Sequence, residues 1–478
     1  LRCLVGSEMC IRDRFQILDE NKKPITMEVH YPTPMEIDTF ETDANGSFTL
    51  PEKLEHGSYY LHETKAPEGY LLGVEDIPFV VDQEFDWENP LSITYPDAPA
   101  KGKIRVTKTD KETDKPIPSG AEFTVTAAED ITTPDGTIRT EKGTVVATLT
   151  TDEKGKAETE ALYLGKYVIK ETKAPNGYLL NPKEFAVTLE YEDQETEIVY
   201  GDVTVPDELA KGKIRVKKTD AETGNGLSGA EFEIRAKEDI VTPDGTVKAK
   251  AGTVVDTITT SDKGTAETKK LYLGKYEVQE TKAPEGYLLN TQKYPVELIY
   301  ADQETEIVYG DVTVPDEIAK GKIRITKTDK ETNKPIPSGA EFTVTVAEDI
   351  TTPDGTVRAE KGTVVATLTT DDKGKAETDK LYLGKYVIKE TKAPEGYLLN
   401  PKEFEVTLAY KDQTTEIVYG DVTVPDQPAK GKIRITKTDA ETNKPIPLGA
   451  EFTVTAAEDI TTPDGTVRAE KGTVVATL

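Results

Sequence analysis

Hydrophobic and polar residues alternate along most of the chain in short runs, as in KIRVTKTD and EFTVT. Val, Ile, Thr and Tyr are frequent in these runs, and turn sequences such as TPDGT, DEKGK and EDQE separate them. This pattern is typical of β-strands that bury one face. No repeated segment keeps a helical period. We therefore predict an all-β protein.

The alternating runs belong to a long internal repeat. The segment KGKIRVTKTD at 101–110 returns as KGKIRVKKTD at 211–220 and as KGKIRITKTD at 320–329 and 430–439. Within each period, the short sequences GAEF, PDGT, TVV, LYLGKY, ETKAPxGYLL and EIVYGDVTVPD follow in this order. The period of about 110 residues is longer than a solenoid unit, so each repeat can bury its own core.

Three complete repeats are predicted, at 101–210, 211–319 and 320–429, between truncated repeats at 15–100 and 430–478. About seven short strands in each unit predict a tandem series of immunoglobulin-like β-sandwich domains. Only a few residues, such as ELA at 208–210, separate one repeat from the next. Short connectors restrict bending, so we expect the domains to form a rod.

The opening segment 1–14, LRCLVGSEMCIRDR, matches no later part of the chain and contains both cysteines. It reads like the translation of an adapter oligonucleotide, so we expect it to be an artefact and exclude it from the fold prediction. The remaining chain then lacks cysteine, and any covalent stabilisation would have to come from something other than disulfides. A cysteine-free chain suits a Gram-positive cell surface, and it also suits the cytosol.

Charge and hydropathy exclude several classes of partner. The 478 residues include 59 basic and 88 acidic side chains, which give a net charge of -29. This charge argues against binding to nucleic acid or to anionic lipid. No apolar run approaches the roughly 20 residues that a membrane-spanning helix needs. We expect a solvated protein with no membrane span.

A lysine and a glutamate in each complete repeat continue an apolar strand face. Lys108 follows Ile104 and Val106 on one face, because alternate residues of a strand point the same way. Glu280 follows Tyr276 and Val278 in the same manner. The equivalent lysines are Lys218, Lys327 and Lys437, and the equivalent glutamates are Glu63, Glu171 and Glu390.

The last strand of each complete repeat offers two sets of aspartates. Asp207 follows Val203 and Val205, and its equivalents are Asp316 and Asp426. This later set matches Asp97 in its spacing to the next repeat. Asp202 follows Ile198 and Tyr200, and its equivalents are Asp311 and Asp421. Distance from the preceding turn favours this earlier set, so the alternative stays open.

One inward lysine with two inward carboxyl groups has a chemical use. Desolvation favours the neutral, nucleophilic form of an amine. A buried carboxyl group that keeps its proton can polarise the carbonyl of a second carboxyl group and carry protons while an amide forms. The product would be a Lys–Asp isopeptide bond with no charge left to bury. A buried salt-bridge network of the same three residues is the alternative.

The segments VTKTD, GAEF, LGKY and ETKAPxGY resemble the B-type repeat of Gram-positive collagen adhesins, which is also seen in SpaA-like pilins. The resemblance spans residues 15–478 and implies prealbumin-like sandwich domains that crosslink themselves. It implies catalytic roles for Glu171, Glu280 and Glu390. The implied crosslinks join Lys108 to Asp207, Lys218 to Asp316 and Lys327 to Asp426. Aspartate in place of the commoner asparagine implies that water, and not ammonia, is lost.

The resemblance implies a structural stalk in an extracellular, cell-wall-anchored adhesin or pilin, with the anchor and the ligand-binding tip outside this segment. In the alternative, the repeats themselves are an adhesive module for host extracellular matrix, although their near-identity speaks against it. We expect no enzyme, no cofactor and no metal site. The EDITTPDGT loops lack calcium-loop spacing, and the three histidines, His30, His56 and His62, all lie in the first unit.

Overall fold

The computed structural model describes residues 2–4, 13–30, 33–43, 45–82 and 90–478, with the backbone alone described for residues 2–4. This part of the chain consists of β-strands and turns and contains no helix. No helix of these residues is therefore available to cross a membrane. The prediction of an all-β protein is confirmed.

The strands fall into five consecutive groups that follow the sequence repeat. The first group is β1 (Arg2–Leu4), β2 (Arg14–Leu18), β3 (Met27–Val29), β4 (Met35–Ile37), β5 (Phe40–Glu41), β6 (Ser47–Thr49), β7 (Gly57–Lys65), β8 (Ile77–Val81) and β9 (Ser92–Ile93). The second is β10 (Lys101–Asp110), β11 (Glu122–Ala127), β12 (Ile131–Thr132), β13 (Ile138–Thr140), β14 (Val145–Thr150), β15 (Lys156–Glu158), β16 (Leu162–Tyr163), β17 (Gly165–Lys173), β18 (Glu184–Leu189) and β19 (Ile198–Asp207).

The third and fourth groups repeat this order, with one additional short strand in the fourth, and the last group is shorter. The third is β20 (Lys211–Asp220), β21 (Glu231–Ala236), β22 (Ile240–Val241), β23 (Val247–Ala249), β24 (Val254–Thr259), β25 (Thr265–Glu267), β26 (Leu271–Tyr272), β27 (Gly274–Lys282), β28 (Lys293–Leu298) and β29 (Ile307–Asp316). The fourth is β30 (Lys320–Asp329), β31 (Glu341–Val346), β32 (Ile350–Thr351), β33 (Val357–Ala359), β34 (Val364–Thr369), β35 (Lys375–Glu377), β36 (Leu381–Tyr382), β37 (Gly384–Lys392), β38 (Tyr397–Leu398), β39 (Phe404–Leu408) and β40 (Ile417–Pro428). The last is β41 (Thr453–Thr455), β42 (Ile460–Thr461), β43 (Val467–Ala469) and β44 (Val474–Thr477).

Two sheets make up the sandwich of each complete repeat. In the repeat 101–210, one sheet has the order β14-β11-β17-β18. In the other sheet, the first strand β10 lies between β19 on one side and the short strands β15 and β16 on the other. The first and last strands, β10 and β19, run parallel and stay in register from Lys101 opposite Ile198 to Asp110 opposite Asp207. Both ends of the repeat therefore leave from the same sheet.

The core of each complete repeat lies between its two sheets. In β10 the residues alternate between buried and more exposed positions, which is the pattern that the sequence predicts. The buried core of the repeat 101–210 includes Ile104, Val106, Phe123, Val125, Tyr167, Ile169, Val203 and Val205. Equivalent residues form the cores of the next two repeats. Each complete repeat thus has a core of its own.

Consecutive repeats touch through their loops as well as through the connector. The side chain of Gln303 accepts a hydrogen bond from the Ala174 backbone N–H at 2.9 Å, and its backbone carbonyl accepts one from Leu180 at 2.9 Å. Glu112 accepts hydrogen bonds from Lys248 at 2.9 Å and from the Tyr272 hydroxyl at 2.8 Å in the next repeat. The next joint uses Gln413 and Glu222 in the same way. These contacts restrain one repeat against the next.

The opening segment contains a short strand. β1 pairs antiparallel with β6 and parallel with β9, whereas residue 1 and residues 5–12 lie outside the described residues. The adapter origin of residues 1–14 stays a prediction.

Candidate crosslinking site

The lysine of each complete repeat is fixed by its backbone near the end of the first strand. The Lys108 N–H donates to the carbonyl of Gly155 at 2.8 Å, and its own carbonyl accepts from Ile117 at 3.0 Å. Gly155 has a φ of 69°, and a Cβ there would lie 2.6 Å from the Ile117 carbonyl oxygen. This turn, the DEKGK sequence, therefore requires glycine and holds the lysine strand.

Lysine, glutamate and aspartate meet in the interior of the repeat 101–210. The Lys108 Nζ lies 2.6 Å from Glu171 Oε1 and directly contacts the Asp207 carboxylate. All three side chains have no exposed surface. The Phe123 ring lies beside the amine, with its centroid 5.6 Å from Nζ. The three groups are within bonding reach and away from water.

The other two complete repeats have the same triad. Lys218 lies 2.8 Å from Glu280 Oε1 and directly contacts Asp316. Lys327 lies 2.6 Å from Glu390 Oε1 and directly contacts Asp426. These side chains are also fully buried. Each complete repeat therefore has one separate set of three groups.

Strand pairing explains why these residues meet. Lys108 on β10 stands opposite Val205 on β19, so Asp207, two residues further on, shares the inward face. Glu171 on β17 pairs with Phe123 on β11 in the facing sheet. The lysine and the aspartate thus come from the first and last strands, and the glutamate reaches them across the core.

The earlier aspartates point outward. Asp202 stands opposite Arg105 and accepts two hydrogen bonds at 2.7 Å from its guanidinium group. The same guanidinium group lies over the Tyr200 ring, 4.2 Å from its centroid, and that ring is about half exposed. Asp311 and Asp421 pair with Arg215 and Arg324 in the same way. The apolar face that seemed to lead to Asp202 is the solvent face of β19.

Burial shifts the aspartates toward the neutral acid. Desolvation raises the pKa of Asp207 well above its usual range, and the nearby Glu171 raises it further, whereas Lys108 opposes the shift. Desolvation raises the pKa of Asp316 and of Asp426 in the same direction. A neutral carboxylic acid is the form that an amine can convert to an amide.

Among the residues that the structure describes, the first unit has the carboxyl groups of the site without a lysine beside them. Glu63 is buried there, and Asp97 is half-buried with both carboxylate oxygens shielded from solvent. Desolvation raises the pKa of Glu63 to about 7 and that of Asp97 to about 8. Asp13 is also buried, with its pKa raised to about 6 by desolvation. No lysine forms an ion pair with these three groups among the residues described. The described part of this unit therefore contains no lysine in the position of the nucleophile.

The prediction of a buried lysine face is wrong in the last unit. Lys437 is exposed, and so are Ile433 and Ile435. No strand of the described residues covers this face of 430–439.

Two further polar groups flank the site, and the sequence analysis named neither of them. The Asn181 backbone N–H donates to Glu171 Oε2 at 2.8 Å, and its side-chain Nδ2 donates to the Pro206 carbonyl at 2.7 Å. Asn181 lies in a loop, where alternation predicts nothing. Asp110 is buried and accepts a hydrogen bond from the Tyr178 hydroxyl at 2.9 Å. It shares the face of Lys108, so alternation could have found it.

Most of the chain matches a known protein family. The family described as SpaA, prealbumin-like fold domain, matches at residues 12–90, 102–204, 212–313 and 321–423. These four matches cover well over half of the chain. No curated protein matches the chain significantly.

Several solved structures are similar to the chain at low identity. The Bacillus anthracis TIE protein has 24% sequence identity and a TM-score of 0.47, over 87% of this chain and 69% of that one. The major pilin subunit BcpA of Bacillus cereus has 16% identity and a TM-score of 0.25, over 67% and 99% of the two chains. The full-length major pilin SpaD of Corynebacterium diphtheriae has 16% identity and a TM-score of 0.20, over 69% and 98%. Similarity at this level does not define a function.

Proposed function

The chain belongs to the SpaA family of prealbumin-like domains, and on this basis we propose that it is the structural stalk of a Gram-positive adhesin or pilin, in which each complete repeat locks itself with an isopeptide bond. The stalk is extracellular and is attached to the cell wall. One observation carries the crosslink proposal. A fully buried lysine contacts an aspartate and a glutamate in each complete repeat.

The proposed reaction joins Lys Nζ to the Asp side-chain carbonyl carbon. In the repeat 211–319, the neutral amine of Lys218 attacks the neutral carboxylic acid of Asp316. The protonated Glu280 polarises the Asp316 carbonyl, accepts a proton from the amine nitrogen and returns one to the departing hydroxyl group. A C–N bond forms, a C–O bond breaks and one water leaves. No oxidant, reductant or cofactor is needed.

The closed site restricts the reaction to groups of the same repeat. The side chains of Lys108, Glu171 and Asp207 have no exposed surface, so an external substrate has no access to them. A single turnover inside each domain fits this geometry, whereas an enzyme needs a site that substrate can enter and product can leave. We therefore propose a structural protein that modifies itself.

The position of the crosslink suits a stalk under tension. The chain enters the repeat 101–210 through β10 and leaves it through β19, and the bond from Lys108 to Asp207 would join these two strands. Force would then pass along the covalent path and bypass the rest of the sandwich. Closing a loop of about 100 residues contributes roughly 4.7 kcal/mol to stability when the chain-entropy estimate is used. The joints between repeats extend this restraint along the rod.

Stretching the full chain from both ends tests the stalk proposal. We expect the three complete repeats to add no length when single molecules are pulled. Lys108→Ala should add one unfolding event that releases roughly 300 Å of chain, because the residues between the two strands become extensible. Lys103→Ala is the matched control, since Lys103 lies on the solvent face of the same strand and pairs with Glu158. Three such events in the unmodified chain would contradict the proposal.

A further inference from the structure

One asparagine touches both carboxyl-bearing segments of each complete repeat. In the repeat 211–319, the Asn290 backbone N–H donates to Glu280 Oε2 at 2.9 Å. Its side-chain Nδ2 donates to the Pro315 carbonyl at 2.8 Å. That carbonyl belongs to the peptide bond that leads into Asp316. Asn290 thus connects the glutamate with the strand that carries the aspartate.

The orientation of this side chain is fixed by a third hydrogen bond. Asn290 Oδ1 accepts from the Gln292 backbone N–H at 3.0 Å, so Nδ2 must be the atom that faces Pro315. Asn181 and Asn400 have the same three partners in their repeats, at 2.7 to 3.1 Å. The arrangement therefore recurs in all three complete repeats.

The backbone bond has a consequence for the glutamate. Because Oε2 of Glu280 accepts the Asn290 N–H, the proton of the neutral acid belongs on Oε1. Oε1 is the oxygen that lies 2.8 Å from the Lys218 amine. The bond thus directs the acidic proton toward the reacting groups.

The first unit shows that the asparagine's backbone bond to the glutamate and its side-chain bond to the last strand have different requirements. Gly73 occupies the equivalent position, and its N–H still donates to Glu63 Oε2 at 2.7 Å. Glycine has no side chain to hold the last strand. The bond to the glutamate therefore does not require asparagine, whereas the bond to the last strand does.

We infer that Asn290, with Asn181 and Asn400, is a positioning residue for amide formation, since its side-chain amide holds the aspartate strand at the distance from lysine that the reaction needs. This inference rests on the proposed isopeptide bond. Misplacement of reacting groups by about 1 Å can slow a reaction by roughly a hundredfold. Loss of the Nδ2 bond should therefore slow the crosslink and leave the sandwich folded.

The test follows crosslinking in the full chain during cell-free synthesis. Samples are denatured in acid at successive times and digested with trypsin, and the branched peptide of each repeat is quantified by mass spectrometry. We expect Asn290→Ala to slow the formation of the branched peptide of the repeat 211–319 by about ten- to a hundredfold. The repeats 101–210 and 320–429 should keep the wild-type rate and serve as internal standards.

Tyr294→Phe is the matched control. The Tyr294 hydroxyl is a second partner of Asn290 Nδ2, at 3.0 Å, and the equivalent residues of the other complete repeats are Phe185 and Phe404. Its removal leaves the Pro315 bond in place, so the rate should not change. The pH dependence of the rate should also be the same in Asn290→Ala and in the wild type, because the three reacting groups are unchanged.

Three outcomes separate the hypotheses. A wild-type rate in Asn290→Ala would overturn the positioning role while the proposed crosslink stands. An absence of branched peptides from every repeat of the wild type would instead overturn the proposed function. Limited proteolysis shows whether this repeat folds in Asn290→Ala. If it does not fold, Asn290→Gly becomes the test of the positioning role, because it places at position 290 the glycine found at position 73 and keeps the backbone hydrogen bond to Glu280. A wild-type rate in that folded variant would equally overturn the positioning role.

Discussion

Glu280→Ala is expected to abolish the crosslink of the repeat 211–319 and to leave the other two intact. Glu280 Oε1 is 2.8 Å from the Lys218 amine, and no other carboxyl group than Asp316 forms an ion pair with this lysine among the described residues. Without the glutamate, no group remains to carry the protons of amide formation, which is typically worth a factor of 10² to 10⁴ in rate. The intact mass of the full chain should show the loss of two waters in place of three.

The same variant should lose stability in one repeat alone. Loss of a crosslink that closes a loop of about 100 residues costs roughly 4.7 kcal/mol when the chain-entropy estimate is used. Each complete repeat has its own core, so the effect should not spread to its neighbours. Glu277→Ala is the control, because Glu277 lies on the same strand and pairs with Lys293 on the surface. Loss of crosslinks in neighbouring repeats would contradict the account of independent domains.

The second large effect is expected when the aspartate that forms the crosslink is replaced. Asp316→Ala should restore the full sequence mass of the repeat 211–319, because it removes the carbonyl carbon that Lys218 attacks. It also removes the crosslink that closes a loop of about 100 residues, which costs roughly 4.7 kcal/mol when the chain-entropy estimate is used. Mass spectrometry and urea denaturation measure the two effects.

Asp311→Ala is the matched control for this variant. Asp311 lies five residues earlier on the same strand and pairs with Arg215 at the surface. The Asp311→Ala variant should still lose one water in this repeat. Its free energy of unfolding should fall by less than about 1 kcal/mol, as is usual when an exposed ion pair is removed. If Asp311→Ala restored the sequence mass and Asp316→Ala did not, the crosslink partners of the lysines would be Asp202, Asp311 and Asp421.

Strand alternation predicted the burial of the lysine and of the glutamate because the burial of each side chain depends on nearby residues of its own strand. Lys108 and Glu280 each end an apolar run of their own strand, and the burial of a strand face follows from the residues two and four positions away. The all-β fold was predictable for the same reason.

The aspartate could not be chosen in this way. Both faces of β19 carry apolar residues ahead of an aspartate, so Tyr200 before Asp202 and Val205 before Asp207 each suggest an inward face. The decision comes from the pairing of β19 with β10, which sets Asp202 opposite Arg105. That pairing joins residues about 100 positions apart and has no local signal in the sequence.

The asparagine and the joints were missed for a related reason. Asn181 lies in a loop, and two of its partners, Glu171 and Pro206, belong to different strands. Gln303 contacts Ala174 in the previous repeat, 129 positions away. Loop positions follow no period, so their contacts emerge only from the folded chain.

The most direct test of the central claim is the intact mass of the unmodified chain, followed by tryptic mapping. If the three crosslinks form, the mass is lower than that of the sequence by three waters, one for each complete repeat. We also expect branched peptides that join the segments of Lys108 and Asp207, of Lys218 and Asp316, and of Lys327 and Asp426. A folded chain with the full sequence mass and linear peptides alone would contradict it, and would leave three buried salt-bridge networks in place of the crosslinks.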